Sequence, residues 1–261
     1  MKIVSAYSIK GGVGKTALSV NLAYALQQSG KRTLLVDLDP QGAAAFFFRV
    51  SPAAEFDLEL DELTDAGFKR NIRESDYPGL DILPSNLAYR NLDIALDRMR
   101  KSRKQLRWLL DDLGVDYDFI VLDCPPNITL LSENVFRASS MILAPVIPTP
   151  LSERTLEQLF DFFKEVELPT EIIVPFFSMA QKRSRIHQET IAHLPVRYPM
   201  FLRTVIPFTV EIEKMGLRRM PVLAYGPKLP VAQAYSALCK EIQERLEKPD
   251  VSGAAYTRKN S

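Results

Sequence analysis

The chain has 261 residues, 46% hydrophobic and 25% charged, with 33 Lys and Arg against 32 Asp and Glu for a net charge of +1. Such a chain can bury one large core, its balanced charge excludes a uniformly basic nucleic-acid binder, and no apolar run reaches membrane-spanning length. Two cysteines, far apart and without metal-ligand spacing, exclude a disulfide framework, and the first strand begins too early to leave room for a signal peptide, so a cytosolic protein is expected.

Apolar strands alternate with amphipathic stretches along the chain. This predicts a single doubly wound α/β domain over 1–248, a mostly parallel sheet flanked by helices, with a disordered tail over 249–261. Strands are predicted near 2–7, 33–37, 80–83, 118–122, 141–146, 171–176 and 203–206. Helices are predicted near 15–29, 86–96, 99–113, 129–138, 152–165, 185–194, 209–216 and 230–247, with Gly30 and Gly114 as C-terminal caps.

The first strand runs into Lys10-Gly11-Gly12-Val13-Gly14-Lys15-Thr16, and a helix follows directly at Ala17. Glycines at 11, 12 and 14 let successive backbone N–H groups turn toward an anion, and the helix N-terminus adds partial positive charge. Lys15 has the reach for the β- and γ-phosphates, and Thr16 offers its hydroxyl to Mg²⁺. The stretch from Gly11 to Ala17 is therefore read as a nucleotide cradle. The generic phosphate-loop pattern asks for glycine five places before Gly14, where this chain has Ile9; what it carries ahead of the glycines is a second lysine, Lys10.

Further along, Thr33-Leu34-Leu35-Val36-Asp37-Leu38-Asp39 is an apolar strand that delivers two carboxylates at its C-terminal end, where open α/β sheets bind ligands. Another, Asp118-Phe119-Ile120-Val121-Leu122-Asp123, also ends in an aspartate. A magnesium ion on phosphates takes one or two protein ligands and keeps several waters, an economy that Thr16, Asp37 and Asp123 suit. Cys124 has no histidine nearby, since His187 and His193 lie far downstream, and is read as a small buried hydrophobe.

KGGVGKT, DLDPQG and the strand entering Asp123-Cys124-Pro125-Pro126 resemble the deviant phosphate loop, the Walker A′ element and the Walker B to switch II segment of the ParA/MinD family of P-loop ATPases. The resemblance continues through the helix, strand and proline-bearing loop of 131–159 and through Thr204-Val205-Ile206-Pro207. It is weakest over 43–79, where Phe46-Phe47-Phe48 is read as the buried edge of a switch I helix. It implies an ATP- and Mg²⁺-dependent ATPase with a slow intrinsic rate. By the same resemblance Lys10 reaches across a dimer interface onto the partner's nucleotide while Lys15 acts within its own subunit. Asp39 orients the attacking water, Asp37 and Asp123 act on Mg²⁺ through water, and the backbone at Pro207 borders the adenine.

The ParA branch further implies an ATP-bound homodimer that binds DNA without sequence preference and positions a plasmid, chromosome or protein assembly. A ParB-like or other activating partner stimulates hydrolysis, and the protein is nucleoid-associated in the cytoplasm. Three alternatives stand beside it: a MinD-type membrane ATPase, a nucleotide-switched scaffold that binds no DNA, and a metabolic reductase or small-carboxylate ligase. The helix over 230–247 reads as packed on the sheet, and the tail lacks the apolar face and basic density of a membrane-surface helix. Two cysteines do not supply a cluster shared between subunits, and DLDPQG points to the ParA branch. DNA candidates fall in three clusters: Lys182, Arg183 and Arg185; Lys214, Arg218 and Arg219; and Arg98, Arg100, Lys101, Arg103, Lys104 and Arg107 on one expected helix. Phe208 and Glu211 stand where ParA relatives often carry an arginine pair.

Overall fold

The computed structural model describes residues 1–51, 69–85, 92–98 and 102–247. The start of the helix expected over 86–96, residues 52–68 of the 43–79 span, Arg100 and Lys101, and the expected tail lie outside the described residues.

Among the described residues the sheet has eight strands. They are β1 (Lys2–Ala6), β2 (Thr33–Asp37), β3 (Arg73–Glu74), β4 (Leu80–Leu83), β5 (Phe119–Asp123), β6 (Met141–Val146), β7 (Ile173–Ala180) and β8 (Val205–Pro207), in the order β3-β4-β2-β5-β1-β6-β7-β8. Every pairing is parallel except β3 with β4. The central strands are apolar on both faces, as strands covered on both sides must be. Alternation then sends neighbours to opposite layers: Ile3, Leu34, Val36, Ile120 and Leu122 enter one core, and Val4, Leu35, Phe119 and Val121 the other.

The first core is closed by α3 (Leu92–Asp97), α4 (Gln105–Asp111), α5 (Leu130–Ala138), α6 (Pro150–Glu165) and α7 (Arg185–Arg197). The second is closed by α1 (Lys15–Gln28), α2 (Ala43–Phe47), α8 (Glu211–Arg218), α9 (Val222–Tyr225) and α10 (Pro230–Glu247). Gly30 ends α1 as expected. At φ 80 it lets its own N–H reach Gln27 O and the Lys31 N–H reach Leu26 O, satisfying two carbonyls of the last turn.

Several boundaries differ from expectation. β7 starts at Ile173 behind a 3₁₀ turn over Thr170–Ile172 and runs on to Ala180. Within that extension the Ser178 hydroxyl donates to Val13 O at 2.9 Å. α7 continues past Pro195 to Arg197, and α8 begins at Glu211. The basic stretch is not one helix: a 3₁₀ turn over Ser102–Lys104 precedes α4, and another over Asp112–Val115, containing Gly114, follows it. Of the three phenylalanines, only Phe48 is buried; Phe46 is 46% exposed.

Candidate nucleotide site

β1 lies at the centre of the sheet, with the chain leaving it toward β2 on one side and building β6 to β8 on the other. The loop at its C-terminal end therefore sits where strand order reverses, the place at which open α/β sheets bind ligands. Gly12 and Gly14 take left-handed backbone at φ 71 and 93, which a side chain would strain. At Gly14 a Cβ would also come within 3.1 Å of the Ser178 hydroxyl. Gly11 and Gly12 are exposed and Val13 is buried, so the loop's outer rim faces outward while Val13 anchors it. Lys15 and Ala17 are buried in the first turn of α1, and Thr16 is half-buried.

The two lysines are used differently. Lys15 Nζ donates to Lys10 O at 3.4 Å, folding the side chain back under the loop. Burial lowers the Lys15 pKa, and the nearby Asp123 pulls the other way. Lys10 is half-buried, and among the described residues its ammonium has no hydrogen bond or ion pair.

Parallel pairing of β2 and β5 puts Asp37 directly beside Asp123. Both are fully buried. Asp37 accepts from the Asp39 N–H at 3.2 Å and, through Oδ2, from the Ala45 N–H at 3.0 Å. Asp123 Oδ1 accepts from the Ser19 hydroxyl at 2.9 Å, whereas its buried Oδ2 has no hydrogen-bond partner among the described residues. Burial and mutual repulsion hold the Asp37 pKa above the usual carboxylate range; burial likewise raises Asp123, which the Thr16 and Ser19 hydroxyls partly offset. Two buried carboxylates, one with an orphaned oxygen, beside a threonine hydroxyl are a donor set suited to a hard divalent cation. Asp39, half-buried, is held by its own Oδ1, which accepts from the Gln41 N–H at 3.0 Å. Cys124 is 2% exposed with its thiol pKa pushed up by burial, in keeping with a structural role.

Replacing Asp123 with Asn is expected to raise the thermal stability of the metal-free protein by on the order of 1 kcal/mol, roughly 2–4 °C for a chain of this size. A carboxylate whose folded pKa is raised binds more protons folded than unfolded, so the native state loses stability as pH climbs from the unfolded pKa through the folded one. The gain should therefore be larger at pH 8 than at pH 5. Calorimetry showing a lower Tm for the variant at pH 8 would contradict the buried-repulsion account.

Beyond the loop, a cleft is lined by Gly14, Ala17, Met179, Ile206, Pro207 and Ile212 among others, with Thr209 and Glu213 as polar members. Pro207 thus stands beside the cradle. Met179 carries φ 54 at an irregularity in the β7 to β8 pairing, and its methyl group faces Gly14. A bulky residue in that region marks a site where local strain is enforced by its surroundings. Sequence reasoning missed Ser19, Ser178 and Met179. Ser19 was reachable, one helical turn after Lys15; the others depend on β7 crossing beside the loop.

The DNA candidates are scattered. Lys182 and Arg183 are exposed in the turn after β7, and Arg185 pairs with Glu189 at 2.8 Å. Lys214 pairs with Glu211 at 2.6 Å. Arg218 stacks over Tyr225 and Arg219 over Phe46. The third cluster does not form the expected basic stripe: Arg103 pairs with Glu133, and Arg107 pairs with Asp111 and donates to Ala138 O.

The AAA domain family model matches residues 1–173. The sporulation initiation inhibitor protein Soj of Bacillus subtilis (strain 168) is 30% identical over 247 residues, covering 92% of this chain and 98% of that protein. The chain belongs to the ParA/MinD family of P-loop ATPases. Within the family, the cell division protein PomZ of Myxococcus xanthus is 31% identical over 92% of this chain and 77% of that protein. Among solved structures, an ATP complex of Cyanothece McdA superposes with a TM-score of 0.79 at 18% identity, over 93% of this chain and 96% of that one. Cobyrinic acid a,c-diamide synthase from Mycobacterium smegmatis gives 0.76 at 22%, over 95% and 96%. These likenesses show the fold. No helix among the described residues is long and apolar enough to cross a membrane.

Proposed function

We propose that this chain is a ParA-type positioning ATPase that dimerises on ATP, binds DNA without sequence preference and releases it when an activating partner stimulates hydrolysis. ATP and Mg²⁺ are its cofactors, and its place is the cytoplasm, on the nucleoid. The reading is carried by the division of labour between the lysines. Lys15 is buried and committed to its own loop, while the Lys10 ammonium has no partner among the described residues and is available to a second subunit.

Phosphoryl transfer to water is catalysed by positioning and by cations that offset charge on the γ-phosphate. Gly11 to Ala17 cradle the phosphates, with Lys15 on the β and γ groups. Thr16, Asp37 and Asp123 would hold Mg²⁺, which would supply further charge compensation when bound. Asp39 orients the water, Lys10 completes the partner's site, and the backbone at Pro207 borders the base. Loss of the γ-phosphate removes what Lys10 holds, so the dimer weakens. Lys182, Arg183 and Arg185, with Lys214, Arg218 and Arg219, supply the DNA contacts; two subunits double their number and steepen the salt dependence.

A second reading draws on Phe208 and Val210, exposed at 54% and 55%, with Leu217 at 87%, near those cations. A protein or lipid surface fits such a patch better than phosphate does. Titrating duplex DNA with ATP, ADP or no nucleotide at two salt concentrations, beside a liposome sedimentation control, separates the readings. ATP-specific retention is expected at low salt, falling steeply at high salt. Liposome capture without DNA binding would favour a MinD-type ATPase, and indifference to both a nucleotide-switched scaffold.

A further inference from the structure

Two of the candidate DNA cations are occupied by aromatic rings of two neighbouring helices, Arg219 by Phe46 of α2 and Arg218 by Tyr225 of α9. The Arg219 guanidinium lies 4.6 Å over the Phe46 ring, and its Nε donates to Phe46 O at 3.1 Å. Arg218 stacks 4.8 Å over Tyr225, and its carbonyl accepts from Arg49 at 3.3 Å. Arg49 in turn pairs with Asp76 at 3.2 Å. Arg49 and Arg219 both hold left-handed backbone, at φ 59 and 51, which a residue with a side chain keeps where its surroundings enforce it. The ends of α2 and α8 therefore grip each other.

On its other side α2 is tied to the carboxylate pair, because the Ala45 N–H donates to Asp37 Oδ2 at 3.0 Å. α2 has five residues, a left-handed Gly42 before it and no side-chain cap. A helix this short has little stability of its own, so its attachments fix where it sits. Phe46 illustrates this. A large apolar ring at the surface would ordinarily turn inward, and here the guanidinium of Arg219 covers it.

We infer that α2 is a latch joining the Asp37 carboxylate to the cations of α8. With Oδ2 bonded to Ala45, Phe46 holds Arg219 and the end of α8 in a form closed to phosphate. Were Asp37 drawn toward a bound Mg²⁺–ATP, it would release the Ala45 N–H, loosen α2 and free Arg219 for DNA. This rests on the DNA-binding reading above and adds a switch within one subunit, separate from dimerisation.

The test is fluorescence anisotropy of labelled duplex DNA with Mg²⁺–ADP and Mg²⁺–ATP, using Phe46→Ala, Arg219→Lys and Arg219→Ala. Phe46 is half exposed, so its truncation leaves the core intact. Phe46→Ala is expected to raise DNA affinity in the ADP state by about two- to fivefold, the scale of one exposed cation–π contact. Arg219→Lys, which keeps the charge and loses the planar stack, should act in the same direction. Arg219→Ala should lower ATP-state affinity and reduce the salt slope by about one per subunit. Wild-type ADP-state affinity in both Phe46→Ala and Arg219→Lys would overturn the latch while wild-type binding in ATP kept the functional reading intact. If the wild type binds DNA in neither state, that reading falls, and hydrogen exchange decides the latch. The Ala45 amide should exchange faster with Mg²⁺–ATP than with no nucleotide, and unchanged protection would overturn it.

Discussion

Replacing Lys10 with alanine is expected to abolish ATP-dependent dimerisation while leaving nucleotide binding within a few-fold of wild type. The two effects separate because the intramolecular contact at position 10 is made by its backbone: the carbonyl accepts from Lys15 Nζ and the N–H donates to Ser8 Oγ. Truncating the side chain leaves both in place, so the cradle keeps its shape. Each subunit of the proposed pair loses one charge-assisted contact to a γ-phosphate, worth about 1.5–3 kcal/mol, and symmetry doubles this to roughly 10²–10⁴-fold in dimer affinity. Hydrolysis should fall further, by about 10³-fold or more, as when a cation supplied in trans is lost from other phosphoryl-transfer sites. Light scattering of the ATP-loaded variant showing a wild-type dimer population would end the trans-acting role. Lys15→Ala offers the contrast: it removes the cation inside the cradle and should abolish nucleotide binding itself.

Asp39→Ala is expected to trap the ATP-bound dimer on DNA, with hydrolysis reduced by about 10²-fold or more through loss of the group that positions water. The local structure should survive. Asp37 accepts from the Asp39 backbone N–H, which alanine retains, and the lost carboxylate contact is one exposed bond to the Gln41 N–H. A stalled enzyme, and not an unfolded one, is therefore what ATP turnover and DNA release should report. Normal turnover in this variant would remove Asp39 from the water-positioning role.

The nucleotide site was legible because its determinants are contiguous. Gly11 to Thr16 form one loop, and Asp37 and Asp123 each end an apolar strand, so strand pairing alone carries them to the same edge of the sheet. Ser178 and Met179 escaped notice because their role exists only once β7 lies beside the phosphate loop. The expected stripe of the third basic cluster failed to form for a related reason. A run such as Arg103 to Arg107 states how many cations are present, whereas Glu133, Asp111 and the Ala138 carbonyl, which claim them, are distant or unmarked in a charge pattern.

Hydrophobic alternation was enough to predict a mostly parallel α/β sheet, and the glycine and lysine spacing of the loop to mark a candidate phosphate cradle, since each is a local property with a period or a fixed offset; the family followed from the resemblance of three motifs. Where Arg218 and Arg219 point, which oxygen of Asp123 lacks a partner, and how α2 ties Asp37 to Arg219 were decided by packing. Those contacts join residues up to 173 positions apart, as Phe46 and Arg219 are. No local pattern specifies such a pairing; it arises when two helices on the same face of the sheet meet.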